Sequence, residues 1–138
     1  MKKILLSALI AFSPVTVATI ADDTDPADTS LSVQGDAKRG KSVFNRCRAC
    51  HSLTAAPRHR VGPNLNELFG STAGTKEGFK YSPALKKAGF VWTEGKLNAW
   101  LEKPKKFLPG NRMAFMGLRK EKDRLNLLAY LREATAAQ

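Results

Sequence analysis

Side chains that could cross-link the chain or bind a metal are scarce, since its 138 residues include only two cysteines and two histidines. The cysteines, Cys47 and Cys50, are three residues apart, so a disulfide between them would not join distant segments. With His51 they give three possible metal ligands within five residues, and only His59 could supply the fourth that a structural zinc site needs. That spacing is unlike the spacing in zinc fingers. We therefore expect neither a disulfide scaffold nor a zinc site.

The sequence also lacks the alternating apolar and polar residues of β-strands, and it contains no internal repeat. Apolar residues recur instead at spacings of three and four, as they do on one face of a helix. We therefore predict an all-α fold with long loops, and loops this long in so small a domain need a centre to wrap around. The predicted helices cover about residues 36–48, 64–69, 83–88, 93–103 and 120–134.

The N-terminal part of the sequence differs in composition from the rest. Two lysines precede the apolar run Ile4–Phe12, and small residues then lead to Ala21. This pattern is typical of a cleaved secretory signal peptide, and Pro14 with its polar neighbours disfavours a membrane-spanning helix. Residues 22–34 are rich in Asp, Ser and Thr, which predicts a flexible acidic spacer. The predicted units are a signal peptide (1–21), a spacer (22–34) and one folded domain (35–138), with no transmembrane segment in the mature chain.

Positive charge dominates the folded domain. The whole chain has 23 basic and 12 acidic residues, a net charge of +11, and residues 35–138 alone have 21 and 8, a net charge of +13. A domain of this charge is attracted to acidic surfaces, at a rate that falls as salt rises. Nucleic acid is the usual partner of a basic chain. Because an exported protein seldom meets nucleic acid, an acidic protein is the expected partner.

The sequence Cys47-Arg48-Ala49-Cys50-His51 carries the chemistry. Two cysteines one helical turn apart can bond both vinyl groups of a haem, and the adjacent histidine then lies under the iron. This C-x-x-C-H pattern is typical of c-type haem attachment. A thioredoxin-like redox pair would need a preceding strand, which the sequence does not predict. A disulfide would leave His51 without a role. We therefore predict one covalently attached haem c.

Methionine is the second iron ligand to be expected, because a thioether opposite histidine suits electron transfer. Beyond the predicted signal peptide the chain has only Met113 and Met116, both in a stretch that begins with Pro109-Gly110. Methionine is more often a core-filling residue. Two of them in one loop of a haem protein favour ligation, but their spacing alone does not select one.

Several further motifs are shared with a known family. They are GDAKRGKSVF at 35–44, GPNL at 62–65, LFG at 68–70, GFKY at 78–81, Trp92, KPKKFLPGNRM at 103–113 and LLAYL at 127–131. Through them, over residues 35–135, the chain closely resembles the small soluble class I cytochromes c of the mitochondrial and photosynthetic-bacterial type. This resemblance implies the cytochrome c fold, with about four to five short helices and long loops wrapped around one covalently bound haem.

The resemblance also assigns iron ligands. The family pattern P-G-x-x-M falls on Met113, which makes Met116 a filler or a fallback ligand. Phe115 matches the aromatic residue that covers the haem beside the methionine. Pro63 matches the proline whose carbonyl accepts the ring N–H of the axial histidine, here His51, and such a bond fixes ring orientation.

Further positions match family residues with structural or haem-binding roles. The resemblance implies that Tyr81 and Trp92 donate hydrogen bonds to a buried haem propionate. It implies that His59 ties two loops together through a hydrogen bond. A glycine inside a helix also predicts a close crossing by another element. By resemblance, Gly40 meets the last helix there, near Tyr130.

Three residues depart from the family pattern. Ser71 stands in place of an arginine near the propionates, Leu85 in place of an asparagine of a buried water network, and Trp100 in place of a tyrosine that bonds the methionine sulfur. The loss of one cation and two polar groups should shift the reduction potential and could loosen the bond to Met113.

The function implied is that of a soluble, monomeric, periplasmic electron carrier of a respiratory chain, not an enzyme. By resemblance, the partners are acidic surfaces of membrane redox complexes: a quinol-oxidising bc complex as donor, and an oxidase, a reaction centre or a peroxidase as acceptor. The alternative is a haem peroxidase or gas-binding protein in which the methionine ligand is labile. The basic residues that in part match the family's docking surface are Lys38, Lys41, Lys86, Lys87, Lys105, Lys106 and Arg112.

Overall fold

A computed structural model describes residues 35–56 and 58–136, so the predicted signal peptide and acidic spacer lie outside the described residues. Within this part of the chain all regular elements are helices, and the only β-type pairing is an isolated bridge between Thr72 and Val91. The prediction of a helical fold is therefore confirmed. The helices are α1 (Ala37–Phe44), α2 (Pro83–Lys87), α3 (Glu94–Glu102), α4 (Pro104–Phe107) and α5 (Glu121–Ala134).

Helix α1 begins where expected but ends earlier. Asp36 caps it, its carboxylate accepting the Arg39 N–H at 3.0 Å. The helix was predicted to continue to Arg48, but it ends at Phe44. The chain then runs to Cys50 in successive turns, in which N–H groups bond carbonyls three or four residues back. This mixed spacing turns the chain out of the helix just before the C-x-x-C-H sequence.

A close crossing of α1 and α5 brings the two ends of the domain together. A Cβ on the buried Gly40 would overlap the Asn126 carbonyl and lie 2.7 Å from Tyr130 Cβ, so only glycine allows this approach. One turn on, the rings of Phe44 and Tyr130 pack with centroids 5.6 Å apart. The Asp36 N–H also donates to Asn126 Oδ1 at 2.8 Å. The close crossing expected at Gly40 is confirmed.

The short helix predicted between Asn64 and Gly70 is wrong, because this segment contains only turns. A capping box would use the backbone N–H groups of its first and fourth residues. Here Asn64 donates its N–H to His59 Nδ1 at 3.1 Å, and Glu67 donates its own to the Thr135 carbonyl at 2.8 Å. Glu67 also has a φ of 53°, which is incompatible with a helix. The two N–H groups that a local cap would use are therefore bonded to residues elsewhere in the fold.

The remaining helices follow their local signals. Ser82 accepts the Leu85 N–H at 3.2 Å and caps α2, and Gly89 follows that helix in the left-handed region with a φ of 65°. Thr93 caps α3 in the same way. Pro104 opens the four-residue helix α4, which the sequence analysis did not predict.

Leucines of α5 and of the segment before it form the centre of the core. Leu127 and Leu128 are fully buried, and Leu118 is almost so. Residues of α3, among them Trp100, pack in the same core cluster as these leucines. None of the helices in the described part of the chain has the length and apolar character that crossing a bilayer requires.

Replacing Gly40 with alanine tests the crossing. On an exposed helical surface this change would stabilise the helix, because alanine is the better helix former. At the α1–α5 contact we expect the free energy of unfolding to fall by about 1–3 kcal/mol instead, because the added methyl group must separate two backbones. Urea denaturation of the haem-loaded protein measures this. Ser42→Ala, at an exposed position of α1, is the control and should change it little. A stabilised Gly40→Ala protein would contradict the close contact.

Candidate functional site

All eight cofactor-binding residues predicted from the sequence line one cavity of about 680 Å³. Its volume lies in the range of small-molecule and cofactor sites. Residues from α1, the loops, α2, α3 and α5 contribute to its wall, so the cavity occupies the centre that the long loops surround. The eight residues are Cys47, Cys50, His51, Pro63, Tyr81, Trp92, Met113 and Phe115.

The imidazole of His51 is fixed on one wall. Its Nδ1 donates to the Pro63 carbonyl at 2.8 Å, as expected, which leaves the lone pair on Nε2 free to bind a metal. Gly62 lies against the ring, where a Cβ would overlap Cε1 and lie 2.8 Å from Nδ1. Burial lowers the pKa of His51, and the bond to Pro63 offsets this only in part. The ring is therefore held neutral, which is its metal-binding form.

The two cysteines lie one turn apart beside this histidine. Cys50 and His51 both donate their N–H groups to the Cys47 carbonyl, at 3.0 and 2.9 Å. Both thiols are free, and both residues line the cavity. Burial raises the pKa of the Cys47 thiol, against the opposing charge of Arg46. Two free thiols and a neutral imidazole on one wall fit a haem attached through two thioethers.

The structure distinguishes the two candidate methionines. Met113 is half-buried, packs against the core and lines the cavity. Met116 is 90% exposed and does not line the cavity, so the interpretation of Met116 as a core-filling residue is wrong. Phe115, between them, is half-buried and also lines the cavity. The soft sulfur donor available to the cavity is therefore that of Met113.

Aromatic rings form another wall of the cavity. The Trp92 ring packs edge-to-face on Phe90 and on Trp100, with centroids 4.8 and 5.5 Å apart. The rings of Tyr81 and Phe79 pack with their centroids 4.8 Å apart. Burial raises the pKa of Tyr81, so its hydroxyl stays protonated and able to donate. Tyr81 and Trp92 both line the cavity, and each combines a large apolar ring with one hydrogen-bond donor, a hydroxyl or an indole N–H.

The three positions that depart from the family pattern all line this cavity. Ser71 uses its hydroxyl within its own loop, donating to the Leu68 carbonyl at 2.6 Å. Leu85 and Trp100 present apolar surface where the family pattern has polar groups. These departures therefore alter the surface of the cavity itself.

His59 connects two loops beside the cavity, as expected. Its Nδ1 accepts the Asn64 N–H at 3.1 Å, and its Nε2 donates to the Glu77 carbonyl at 2.6 Å. The rings of His59 and Phe79 pack edge-to-face, with their centroids 5.4 Å apart. Among the described residues no group of three or more His, Cys, Asp and Glu side chains is arranged to hold a metal ion.

Sequence reasoning missed two residues with clear roles in this geometry. Gly62 allows the backbone to lie against the His51 ring, and Asn111 bonds the backbone at the start of the Met113 loop. In the sequence, the proline after Gly62 indicated a loop but not the contact between Gly62 and the His51 ring. The polar Asn111 gave no sign that it would be buried, although it is only 3% exposed.

Comparisons with known proteins agree with this geometry, although no protein-family model matches the chain. Cytochrome c of Arabidopsis thaliana is 45% identical over 106 residues, which cover 76% of this chain and 95% of the plant protein. Cytochrome c of Chlamydomonas reinhardtii is 47% identical over 103 residues, 74% of this chain and 92% of the algal protein. Among solved structures, cytochrome cH from Methylobacterium extorquens superposes with a TM-score of 0.68 at 39% identity. That match covers 72% of this chain and 99% of the bacterial one.

Replacing Gly62 with alanine tests the packing of His51. The added methyl group would push the imidazole away from the Pro63 carbonyl, so we expect a lower yield of haem-loaded protein and a changed reduction potential. Haem per protein, from the pyridine haemochrome spectrum, and potentiometric titration measure both. Ala55→Ser, at an exposed position that does not line the cavity, is the control. Equal behaviour of the two variants would contradict the role of Gly62.

Proposed function

Because the chain belongs to the cytochrome c family, we propose that His51 and Met113 would hold the iron of its haem. The chain is an electron carrier with one covalently bound haem c, and it is not an enzyme. When bound, the haem supplies an iron that gains or loses one electron. The observation that carries our ligand assignment is that His51, Met113 and both cysteines line one cavity while Met116 does not.

Each of these residues has a distinct task in the proposal. Cys47 and Cys50 would each hold the haem through a thioether, so that it could not dissociate. His51 offers Nε2, because Nδ1 donates to the Pro63 carbonyl. Met113 offers its thioether sulfur, a soft ligand that raises the reduction potential. With the iron held by both of these residues, the chain would leave it no open position for a substrate.

The remaining wall residues tune this site in our proposal. Tyr81 and Trp92 would donate their O–H and N–H groups to a haem propionate, and these hydrogen bonds would compensate the burial of its carboxylate. Phe115 covers the ring beside Met113 and excludes water. A dry surrounding favours the less charged form of the iron site, because burying charge is costly.

We also propose that the basic surface docks the domain on acidic sites of membrane redox complexes. All seven basic residues expected from the sequence to take part are exposed, including Lys105 and Lys106 of α4 and Arg112 beside Met113. Arg46, which the sequence analysis did not single out, is also exposed and lines the cavity next to Cys47. The donor would be a quinol-oxidising bc complex, and the acceptor an oxidase, a reaction centre or a peroxidase.

The proposed location is the periplasm, where the protein would act as a monomer in a respiratory chain. The support is the N-terminal sequence: positive residues, the apolar run Ile4–Phe12 and small residues up to Ala21 are typical of a cleaved export signal. Residues 22–34 would then form an acidic spacer ahead of the folded domain.

Methionine substitution tests the ligand assignment. Met113→Leu keeps the volume but removes the sulfur, so we expect loss of the weak charge-transfer band of methionine-ligated ferric haem and a lower reduction potential. The reduced protein should also bind carbon monoxide readily. Met116→Leu is the matched control and should retain the spectrum, the potential and the resistance to carbon monoxide. The assignment would be wrong if Met116→Leu, and not Met113→Leu, lost the band.

Small oxidants of opposite charge test the docking surface. We expect the rate of oxidation by anionic ferricyanide to fall with rising salt, and the rate with cationic tris(phenanthroline)cobalt(III) to rise, because screening acts on attraction and repulsion in opposite directions. Arg46→Glu should slow the ferricyanide reaction at low salt severalfold more than Lys122→Glu, an equal charge change on α5. Stopped-flow absorbance measures both. Equal effects of the two variants would contradict a localised basic surface.

A further inference from the structure

The loop that carries Met113 begins with a residue whose polar side-chain atoms are all bonded to backbone. Asn111 Oδ1 accepts the Met113 N–H at 3.0 Å. Its Nδ2 donates to the carbonyls of Pro104 and Leu108, at 2.8 and 2.7 Å. Its own carbonyl accepts from Lys105 Nζ at 2.5 Å. Asn111 therefore joins the backbone of Met113 to both ends of α4.

The amide of Asn111 has only one orientation that satisfies these bonds. The atom facing the Met113 N–H must be an acceptor, and the atom facing the two carbonyls must carry two hydrogens. The side chain is 3% exposed, so water cannot replace a lost partner easily. Aspartate keeps the shape and the acceptor but has no hydrogens for the carbonyls. Serine is too short to make all three bonds.

The other end of the loop is anchored in a different way. Leu118 donates its N–H to the Leu101 carbonyl at 2.8 Å, and Arg124 donates to the Leu118 carbonyl at 2.8 Å. Gly117 has a φ of 97° and lies so close to Glu102 that a Cβ would overlap the carbonyl oxygen there. The loop is thus fixed before Met113 by Asn111 and after it by the segment from residue 117 to residue 119.

Between these anchors the backbone has little other support. Among the described residues, the Met113 N–H is the only backbone group of residues 112–117 that makes a hydrogen bond. The Arg112 side chain adds a bond to the Tyr81 carbonyl at 2.6 Å, but this bond lies at the exposed surface. The position of the Met113 backbone is therefore set mainly by one buried amide.

We infer that Asn111 is the positioning residue of the methionine ligand, an inference that rests on the proposed ligation by Met113. The bond from Met113 N–H to Asn111 Oδ1 fixes where the methionine side chain leaves the backbone. Without it the loop gains freedom, and an external ligand replaces the sulfur more easily. Asn111 acts through Met113 and does not itself contact the iron.

Competition with imidazole tests the inference. In the oxidised, haem-loaded protein, imidazole replaces the methionine, so its apparent Kd reports how firmly the sulfur is held. We expect Asn111→Ala to lower that Kd about tenfold, which corresponds to about 1.4 kcal/mol, and to lower the reduction potential. Asn111→Asp keeps the acceptor but places an oxygen against the Pro104 and Leu108 carbonyls, so it should detach the side chain from α4 and act in the same direction. It serves as the second variant if the alanine protein folds poorly.

Asn126→Ala is the matched control. Asn126 is also a buried asparagine, 7% exposed, and its Oδ1 accepts a backbone N–H at 2.8 Å, but at the α1–α5 crossing. We expect it to lower the urea midpoint and to leave the imidazole Kd and the potential unchanged. Equal changes in the Kd from Asn126→Ala and Asn111→Ala, or none from either Asn111 variant, would overturn the inference. Failure of the ligand assignment would be distinguishable from this outcome, because Met113→Leu would then retain the charge-transfer band of methionine-ligated ferric haem.

Discussion

The hydrogen bond from His51 Nδ1 to the Pro63 carbonyl is the interaction on which the rest of the site depends. It determines which ring nitrogen keeps its lone pair. Burial lowers the pKa of His51 by more than this bond raises it, and so keeps the imidazole neutral. The bond can form only because Gly62 has no side chain to push the ring away. The same contact joins the turn that carries the cysteines to the loop that follows, so cofactor attachment and loop structure are coupled.

The two terminal helices determine where that turn begins. Gly40 allows α1 to lie against the backbone of α5, and Phe44 packs on Tyr130 at the end of α1. The Cys47 N–H then bonds the Phe44 carbonyl at 2.8 Å, so the haem-attachment turn starts directly from the buried end of the helix. Residues far from the cavity thereby position the thiols, and the contact joins parts of the chain 90 residues apart.

Local signals predicted those parts of the fold in which local partners are used. Ser82 and Thr93 cap α2 and α3 as their sequences indicate, because their hydroxyls accept the N–H groups of Leu85 and Lys96. Asn64 carries an equally good signal, yet His59 takes its N–H and no helix forms. The C-x-x-C-H pattern identified the cofactor by chemistry alone. The choice of Met113 needed either the family resemblance or the fold, because its exposure relative to Met116 is a tertiary property.

The two proposed iron ligands are held by unequal means, and this decides which bond is the weaker. The imidazole of His51 lies against the Gly62 backbone and donates to the Pro63 carbonyl. His51 also directly follows Cys50 in the haem-attachment turn. The methionine depends on a loop that is fixed at its ends and little supported between them. Leu85 and Trp100 line the same cavity in place of the asparagine and the tyrosine of the family pattern. Any opening of the iron site should therefore begin on the methionine side, where the order of the loop limits exchange of the sulfur for another ligand.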